Sequence, residues 1–382
     1  MIKPYTAVGL IPTVRGIRKR KDIKINLDHL SHLVKAASWL SSLDLPVRLI
    51  AFPEGALQAF NDEVLDLDHA TFARECAIDI PGEETEALGK IAKEYDAFVM
   101  AQAKAKHPDL KDRFFNVGFV VDPRGRVILK HYKVSPLFPV EHSVCPHDVY
   151  DWWIEKYGRT LDAFWPVAET EIGRLGIMMA NEGSYPENAR ALALNGAEVV
   201  YRASYPHPAT GNEMFEIQSR ARALDNNMFI VAPNMGTYYL FPEETTPIDT
   251  FGGRSYIIDY KGRIVGRQDY GAGSTYVAGV IDIEALRHFR AAHPRSGRKL
   301  NSCASRANCP DTRTRPITMT SVPPTAFTRR TCAASARATR RAAPRPPASS
   351  RNGTPSPRAY ARRSAAPDAR SELSRRSRMR AR

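Results

Sequence analysis

The chain has 382 residues and a formal net charge of +14, a value that on its own suggests a nucleic-acid partner. The excess is confined to residues 301–382, which hold 19 Arg, no Lys and three acids, so residues 1–300 carry 36 basic and 38 acidic side chains. The charge of this near-neutral body says nothing about its partner. Binding of nucleic acid through the Arg-rich tail is the least favoured hypothesis, because the tail lacks interleaved aromatic residues apart from Phe327 and Tyr360.

The five cysteines have no paired spacing, which excludes a disulfide framework. The sequence contains no run of 18 apolar residues, so it predicts no membrane-spanning helix. We therefore expect a cytoplasmic protein with no membrane association. Residues 293–382 form an Arg/Ala/Pro-rich segment with few large apolar side chains, which predicts a disordered tail after a domain of residues 1–292. Composition leaves open whether this tail is genuine or is a GC-rich gene read out of frame.

Short apolar runs alternate with helical patterns along the domain. Strands are predicted at residues 5–11, 47–52, 97–101, 175–179, 228–232 and 275–281, and helices at residues 26–43, 83–95, from Pro186 onward, and at 212–224. The stretches VVDPRGRVIL (120–129) and IIDYKGRIVG (257–266) share one pattern, and each predicts a hairpin with Gly125 or Gly262 at positive φ. Two related hairpins indicate two mixed sheets, and the fold class is an α/β sandwich of the αββα type.

Chemistry-bearing residues follow three of the predicted strands or hairpins. Glu54 ends a strand in AFPEG, Lys133 follows the first hairpin, and a sharp strand-to-helix turn starts at Ala180. Strand ends are where α/β folds place their sites. Taken singly, such a Glu is more often a helix cap and such a Lys is more often a solvated surface residue.

Their order resembles the nitrilase, or carbon–nitrogen hydrolase, superfamily. That family has a Glu in an FPE motif, a Lys closing a Tyr-Arg-Lys-like motif and a Cys opening Cys-x-[Asp/Glu]-x-x-[Phe/Tyr]-Pro-Glu. This chain has FPE at 52–54, HYK at 131–133 and ANEGSYPE at 180–187, so every fixed position of the last motif matches except the nucleophile. KVSPLFPVEH (133–142) resembles the aliphatic amidase and formamidase branch.

The resemblance implies a catalytic set. Glu54 matches the general base, Lys133 the group that stabilises the oxyanion, and Glu141 a second glutamate that orients the substrate or the lysine. Ala180 occupies the nucleophile position and is inert, since alanine has no ionisable or hydrogen-bonding side chain. The family needs no cofactor, and we expect none and no metal.

The same resemblance implies near-site residues and assembly. Tyr201 and Arg202 match positions that contact substrate or form the pocket wall, and Glu182 matches an acid of the nucleophile motif; we group all three as substrate-binding candidates. The helix after the Ala180 turn forms the dimer face in the family, so a homodimer or higher homo-oligomer is expected.

The sequence predicts a protein that hydrolyses or binds a small amide, with turnover in doubt because of Ala180. The alternative is a catalytically silent scaffold or ligand-binding protein. Ala180 fits a natural pseudoenzyme, an engineered trap or a site used for a different reaction, and Ser184 and Cys145 are weak candidates to replace the thiol. Amidase, nitrilase and carbamoylase activities stay unresolved at this level.

Two further stretches carry open alternatives. EHSVCPHD (141–148) holds metal-ligand residue types without a defensible zinc spacing, which favours an ordinary loop. The aromatic-rich residues 149–165 predict either a helix packed on the body or a lid over the pocket.

Overall fold

Residues 1–204, 213–250 and 253–292 are described by the computed structural model of the chain. Within them the strands are β1 (Tyr5–Ile11), β2 (Val14–Arg15), β3 (Val47–Ala51), β4 (Phe98–His107), β5 (Leu110–Val121), β6 (Val127–Tyr132), β7 (Val167–Thr170), β8 (Gly173–Ile177), β9 (Val199–Tyr201), β10 (Phe229–Ala232), β11 (Thr237–Tyr239), β12 (Asp249–Thr250), β13 (Ser255–Ile258), β14 (Ile264–Gln268) and β15 (Thr275–Ile281). The helices are α1 (Ile23–Ser41), α2 (Asn61–Val64), α3 (His69–Glu75), α4 (Glu83–Glu94), α5 (Tyr150–Tyr157), α6 (Leu161–Phe164), α7 (Pro186–Leu194), α8 (Met214–Asn226) and α9 (Ile283–Ala292).

Two six-stranded mixed sheets form the centre of the fold. The first has the order β15-β1-β3-β4-β5-β6 and the second has the order β14-β13-β10-β9-β8-β7, while β12, β11 and β2 form a small third sheet. In the first sheet β3 is parallel to β1 and β4, and in the second β9 is parallel to β8 and β10. The predicted pair of mixed sheets is confirmed.

Side chains of the two sheets meet in a shared core. Consecutive residues of a strand point to opposite faces, so Leu49 packs between the sheets whereas Ile50 packs under α1 and α4. On the second sheet Val199 faces the first sheet and Val200 faces α7 and α8. The layers are therefore helices, sheet, sheet and helices, which confirms the αββα prediction.

The predicted elements agree with the structure to within a few residues where they were long or strongly patterned. β1 and β15 have the predicted bounds, and α7 begins at Pro186 as predicted. β4 is longer than the predicted strand because it continues to His107 opposite β5. The predicted tail, residues 293–382, lies outside the described residues.

The two hairpins that share a sequence pattern also share a geometry. Gly125 has φ +78° and Gly262 has φ +73°, and each donates its N–H to the carbonyl of the aspartate three residues earlier. The carboxylates of Asp122 and Asp259 accept backbone N–H groups of the same turns. One hairpin closes β5 onto β6 and the other closes β13 onto β14, one in each large sheet.

Candidate active site

Three of the candidate catalytic residues follow strands, and two of those strands run in the same direction within one sheet. Glu54 follows β3, Lys133 follows β6 and Ala180 follows β8. In the first sheet β4 is parallel to β3, β5 is antiparallel to β4 and β6 is antiparallel to β5, so β3 and β6 end at the same edge of the sheet. The sheet topology therefore brings together residues that are 79 positions apart in sequence.

The end of β3 fixes the position of Glu54. The ladder continues to Phe52, whose N–H donates to the Met100 carbonyl, and stops at Pro53, which has no N–H to donate. Gly55 follows with φ +77°, and a Cβ at this position would collide with the ring of Phe60. The chain turns sharply here, and the Glu54 side chain is completely buried.

Glu54, Lys133 and Glu141 form one buried cluster, hereafter the carboxylate–lysine cluster. The Lys133 Nζ donates to Glu54 Oε1 at 2.9 Å and also to Glu141 Oε1. All three side chains are at most 4% exposed. The remaining oxygens, Glu54 Oε2 and Glu141 Oε2, have no hydrogen-bond partner in the described residues. Each carboxylate thus has one buried oxygen that no described protein group satisfies.

The charges of the carboxylate–lysine cluster are unequal, with two acids for one base. Burial disfavours the charged ammonium, but the neighbouring Glu141 and Glu54 carboxylates outweigh it and raise the pKa of Lys133, which stays protonated. Burial raises the pKa of Glu141 to about 7, with Lys133 opposing the shift and Glu54 and Glu63 adding to it. Glu141 is therefore suited to exchange a proton near neutral pH.

Two amides that the sequence reasoning missed support Glu54. Asn116 on β5 donates its Nδ2–H to Glu54 Oε1 at 2.8 Å, and its backbone carbonyl accepts the Lys133 N–H at 2.9 Å. Gln102 on β4 donates to Asn116 Oδ1 and accepts the Gly55 N–H, both at 2.8 Å. The signal was present in FFNVGFVV, where a polar residue interrupts an apolar run that reads as a buried strand.

Residues 180–184 form a tight 3-10 turn between β8 and α7, hereafter the Ala180 turn. Ala180 has φ +38°, a region that non-glycine residues rarely occupy and that costs about 1 kcal/mol or more. Its N–H donates to the Ala203 carbonyl at 2.8 Å, which continues the pairing of β8 with β9 beyond the strand ends. The turn therefore holds the side chain of residue 180 in a strained and fixed position.

Glu182 ties the Ala180 turn to the segment after Lys133. Its carboxylate accepts the Met179 N–H and the Val134 N–H, each at 2.7 Å, and lies 2.9–3.0 Å from His131 Nε2. Burial opposes the charge of Glu182, but His131 and the two N–H groups outweigh burial and lower its pKa. Asn181 adds a further bond to the Ser135 carbonyl at 3.2 Å.

Tyr201 ends β9 and Arg202 follows it, and both side chains are buried and hydrogen-bonded to protein groups. The Tyr201 hydroxyl donates to the carbonyl of Phe52, two residues before Glu54. The Arg202 guanidinium contacts the Ala180 carbonyl at 3.5 Å and the start of α8. These contacts favour a supporting role for Glu182, Tyr201 and Arg202, and substrate binding by them stays a prediction.

The two residues considered as replacement nucleophiles are poorly placed for that role. Ser184 Oγ accepts from Gln218 Nε2 at 3.4 Å and so faces α8. Burial raises the pKa of the Cys145 thiol, and the adjacent Asp148 raises it further. A buried thiol with a raised pKa is a weak nucleophile.

The other stretches singled out in the sequence pack locally. Trp153 and Phe164, from the aromatic segment 149–165, are 2% and 5% exposed and pack into the core with Phe115, as the packed-helix interpretation requires. In the described ranges, no three His, Cys, Asp or Glu side chains are grouped to hold a metal ion. None of the helices described there is long and apolar enough to cross a membrane.

Comparison with known proteins identifies a family and several relatives for this chain. A family model described as carbon–nitrogen hydrolase matches residues 9–291. A formamidase of Bacillus cereus (strain B4264) is 29% identical over 252 residues, which are 64% of this chain and 68% of the relative. A formamidase of Bacillus thuringiensis (strain Al Hakam) is 28% identical over 252 residues with the same coverage.

Two solved structures have the same fold at low sequence identity. Saccharomyces cerevisiae Nit3, a member of branch 10 of the nitrilase superfamily, matches with a TM-score of 0.57 and 19% identity, covering 76% of this chain and 95% of that chain. A mutant of the Nesterenkonia AN1 amidase matches with a TM-score of 0.53 and 17% identity, covering 77% and 97%.

Proposed function

This chain belongs to the carbon–nitrogen hydrolase family, and we propose that it binds a small amide at the carboxylate–lysine cluster but lacks the atom needed for covalent hydrolysis. The observation that carries the proposal is the intact, buried contact of Lys133 with Glu54 and Glu141. The Ala180 turn, anchored beside this cluster, presents a methyl group where the family has a thiol. The related formamidases support an amide as the ligand.

The cluster has the groups that recognise and activate an amide. Lys133 is a charged donor for the carbonyl oxygen, and a charged donor gains strength in a site from which water is excluded. The free oxygens of Glu54 and Glu141 are acceptors for the amide N–H groups. In a cysteine form of the site, Glu54 takes the thiol proton and the sulfur attacks the carbonyl carbon. The tetrahedral intermediate then breaks its C–N bond as Glu54 returns the proton to the nitrogen, so that ammonia leaves and a thioester remains. Water activated by Glu54 hydrolyses the thioester, which releases the carboxylic acid and restores the thiol.

The strained turn is retained although residue 180 has no thiol, which supports either a recent natural loss of the cysteine or its engineered replacement by alanine. The strained φ of +38° at Ala180 costs free energy and gives an alanine no benefit. The turn is held by hydrogen bonds to Glu182, and burial of that carboxylate also costs free energy. We propose that the protein retains the ligand site of the family and has lost catalytic turnover. A silent scaffold without a ligand is the rival, and ligand binding separates the two.

Calorimetric titration of the protein with acetamide, propionamide and formamide tests binding. The matched ligand control is acetate, because a cluster with two carboxylates and one ammonium disfavours an anion. We expect saturable heat with at least one amide and none with acetate. No heat with any amide up to its solubility limit, or equal heat with acetate, would contradict the proposal.

We also propose a homodimer formed through α7 and α8. Met214, Ile217 and Leu224 on α8 are 48%, 61% and 54% exposed, and they lie on the side of the helix opposite the core. An exposed row of large apolar side chains marks an interaction surface. Light scattering should give twice the mass of the chain, and Ile217→Asp should give the monomer mass; an unchanged mass would rule out this face.

A further inference from the structure

Arg202 is a buried cation without a carboxylate partner among the described residues. Within the described ranges its guanidinium donates to four neutral acceptors: the Phe215 carbonyl at 3.1 Å, Ser219 Oγ and Gln218 Oε1 at 2.6 Å each, and the Ala180 carbonyl at 3.5 Å. The residue is 1% exposed, and its Nε has no hydrogen-bond partner in the described part of the chain. Buried arginines are normally paired with an acid, since an unpaired buried charge is costly.

The guanidinium lies directly behind the Ala180 turn. A Cβ built on Gly183 would collide with the Nε and Cζ atoms of Arg202, so the plane of the guanidinium rests on the backbone of this glycine. The backbone of Arg202 is held by β10, because the Arg202 N–H donates to the Val231 carbonyl at 2.8 Å. The guanidinium itself is held beside the turn by its hydrogen bonds to the Phe215 carbonyl, Ser219 and Gln218.

Arg202 carries its charge at neutral pH. Burial lowers its pKa to about 9, and the neighbouring Arg222 contributes to the shift. Arg222 approaches the same turn through the Gly183 and Ser184 carbonyls, but the acids Asp225 and Glu187 lie near enough to offset part of its charge.

The other charged groups around the turn are balanced locally. Glu182 faces His131 and two backbone N–H groups. Lys133 is held between Glu54 and Glu141. Among the described groups that surround the Ala180 turn, Arg202 therefore contributes the positive charge that no neighbouring acid compensates.

We propose that Arg202 is a positioning residue that supplies a fixed positive charge to stabilise an anion at the side chain of residue 180. In a cysteine form the anion is the thiolate. In the protein as it stands, the charge is retained and its counterion is missing. The inference rests on the proposed function in one respect, namely that position 180 is the nucleophile position.

Alkylation by iodoacetamide in the Ala180→Cys variant tests this role without any amide turnover. The thiol loses its proton, the thiolate forms an S–C bond, and iodide leaves, so the rate follows the thiolate fraction. Mass spectrometry of the peptide that carries residue 180 separates this thiol from the five native cysteines. The pH range should end below 8.5, where Arg202 is still protonated.

The sharpest second change is Gln218→Glu, which is nearly isosteric and places a carboxylate on the Nη2 of Arg202. It neutralises the charge while the guanidinium stays in place. An opposite charge at close range shifts a pKa by about 1–3 units, so we expect the thiol pKa to rise by about one unit. The matched control is Gln268→Glu on the remote edge strand β14, which should leave the thiol pKa unchanged.

Arg202→Lys and Arg202→Gln provide a second comparison that does not depend on Gln218. If charge is the contribution, the lysine variant keeps the thiol pKa of the Ala180→Cys parent and the glutamine variant raises it. Equal shifts in both, or an unchanged pKa in Gln218→Glu, would overturn the proposal. If Ala180→Cys hydrolyses amides but its thiol pKa does not change with Gln218→Glu, the role of Arg202 is refuted and the proposed function stands. If the thiol pKa rises with Gln218→Glu but Ala180→Cys hydrolyses no amide, the proposed function is refuted and the role of Arg202 stands.

Discussion

Replacing Glu182 by Gln perturbs the link between the Ala180 turn and the lysine segment. The carboxylate accepts the Met179 and Val134 N–H groups at 2.7 Å and faces His131 at 2.9–3.0 Å. A glutamine has one acceptor oxygen and one NH2 group, so one backbone N–H then faces a donor. Hydrogen bonds to a charged group contribute about 1.5–3 kcal/mol each, and a buried unsatisfied N–H costs about 1–3 kcal/mol.

We therefore expect Glu182→Gln to lower the free energy of unfolding by about 2–4 kcal/mol at pH 7. Urea denaturation followed by tryptophan fluorescence measures the change. The matched control is Glu169→Gln on β7, where the side chain is 68% exposed and the same substitution should cost less than about 0.5 kcal/mol. Equal unfolding free energies for the two variants would refute the reasoning.

The same variant makes a prediction about pH. The pKa of Glu182 in the folded protein is lowered from the ordinary value of 4.5. A depressed carboxyl pKa contributes stability that is present above the unfolded value and is lost as pH falls through the folded value. The stability difference between the protein and Glu182→Gln should therefore shrink from pH 7 to pH 3, and a difference that grows on acidification would contradict this account.

Two further substitutions test the turn and the cluster. Gly183→Ala places a Cβ against the buried guanidinium of Arg202 and should lower the free energy of unfolding, measured by urea titration, by about 2–3 kcal/mol. The control is Gly158→Ala, because Gly158 has φ +80° but no atom within 4 Å of an added Cβ, and it should cost about 1 kcal/mol. Equal costs would refute the steric argument. Lys133→Met leaves two buried carboxylates without a cation and should cost about 3–5 kcal/mol. Burial already raises the pKa of Glu141, and loss of Lys133 removes the charge that opposes this shift, so Glu141 binds more protons in the folded than in the unfolded state. The variant should therefore melt at a lower temperature at pH 8 than at pH 5; a higher melting temperature at pH 8 would be contrary evidence.

Local sequence patterns predicted most of the fold because the core strands carry continuous apolar runs and the hairpins carry fixed turn residues. The bounds of β1 and β15 and the start of α7 at Pro186 agree with the structure. Short elements were missed, among them β11 and β12, since two or three residues carry no periodicity. The first half of β5 was also missed, because near its start it has three consecutive charged residues at positions 111–113 in a partly exposed stretch, which does not have the apolar pattern of a buried strand.

The carboxylate–lysine cluster was predictable from the order of the motifs, but the side chains that hydrogen-bond to it were not. Glu54, Lys133 and Glu141 were identified from their motifs, and the structure brings them into contact. Asn116 and Gln102 lie on strands whose register sets which side chains meet, and single-sequence patterns do not give register. Likewise, the uncompensated charge of Arg202 depends on its three-dimensional neighbours, which the local sequence does not specify.

The most direct test of the central claim is ammonia release from small amides by the protein and by Ala180→Cys, measured side by side. The account predicts release by Ala180→Cys alone, because the carboxylate–lysine cluster is complete and the missing thiol is the one absent part. Equal release by the protein with Ala180 would contradict it and would assign the reaction to a water activated by Glu54 or to another residue.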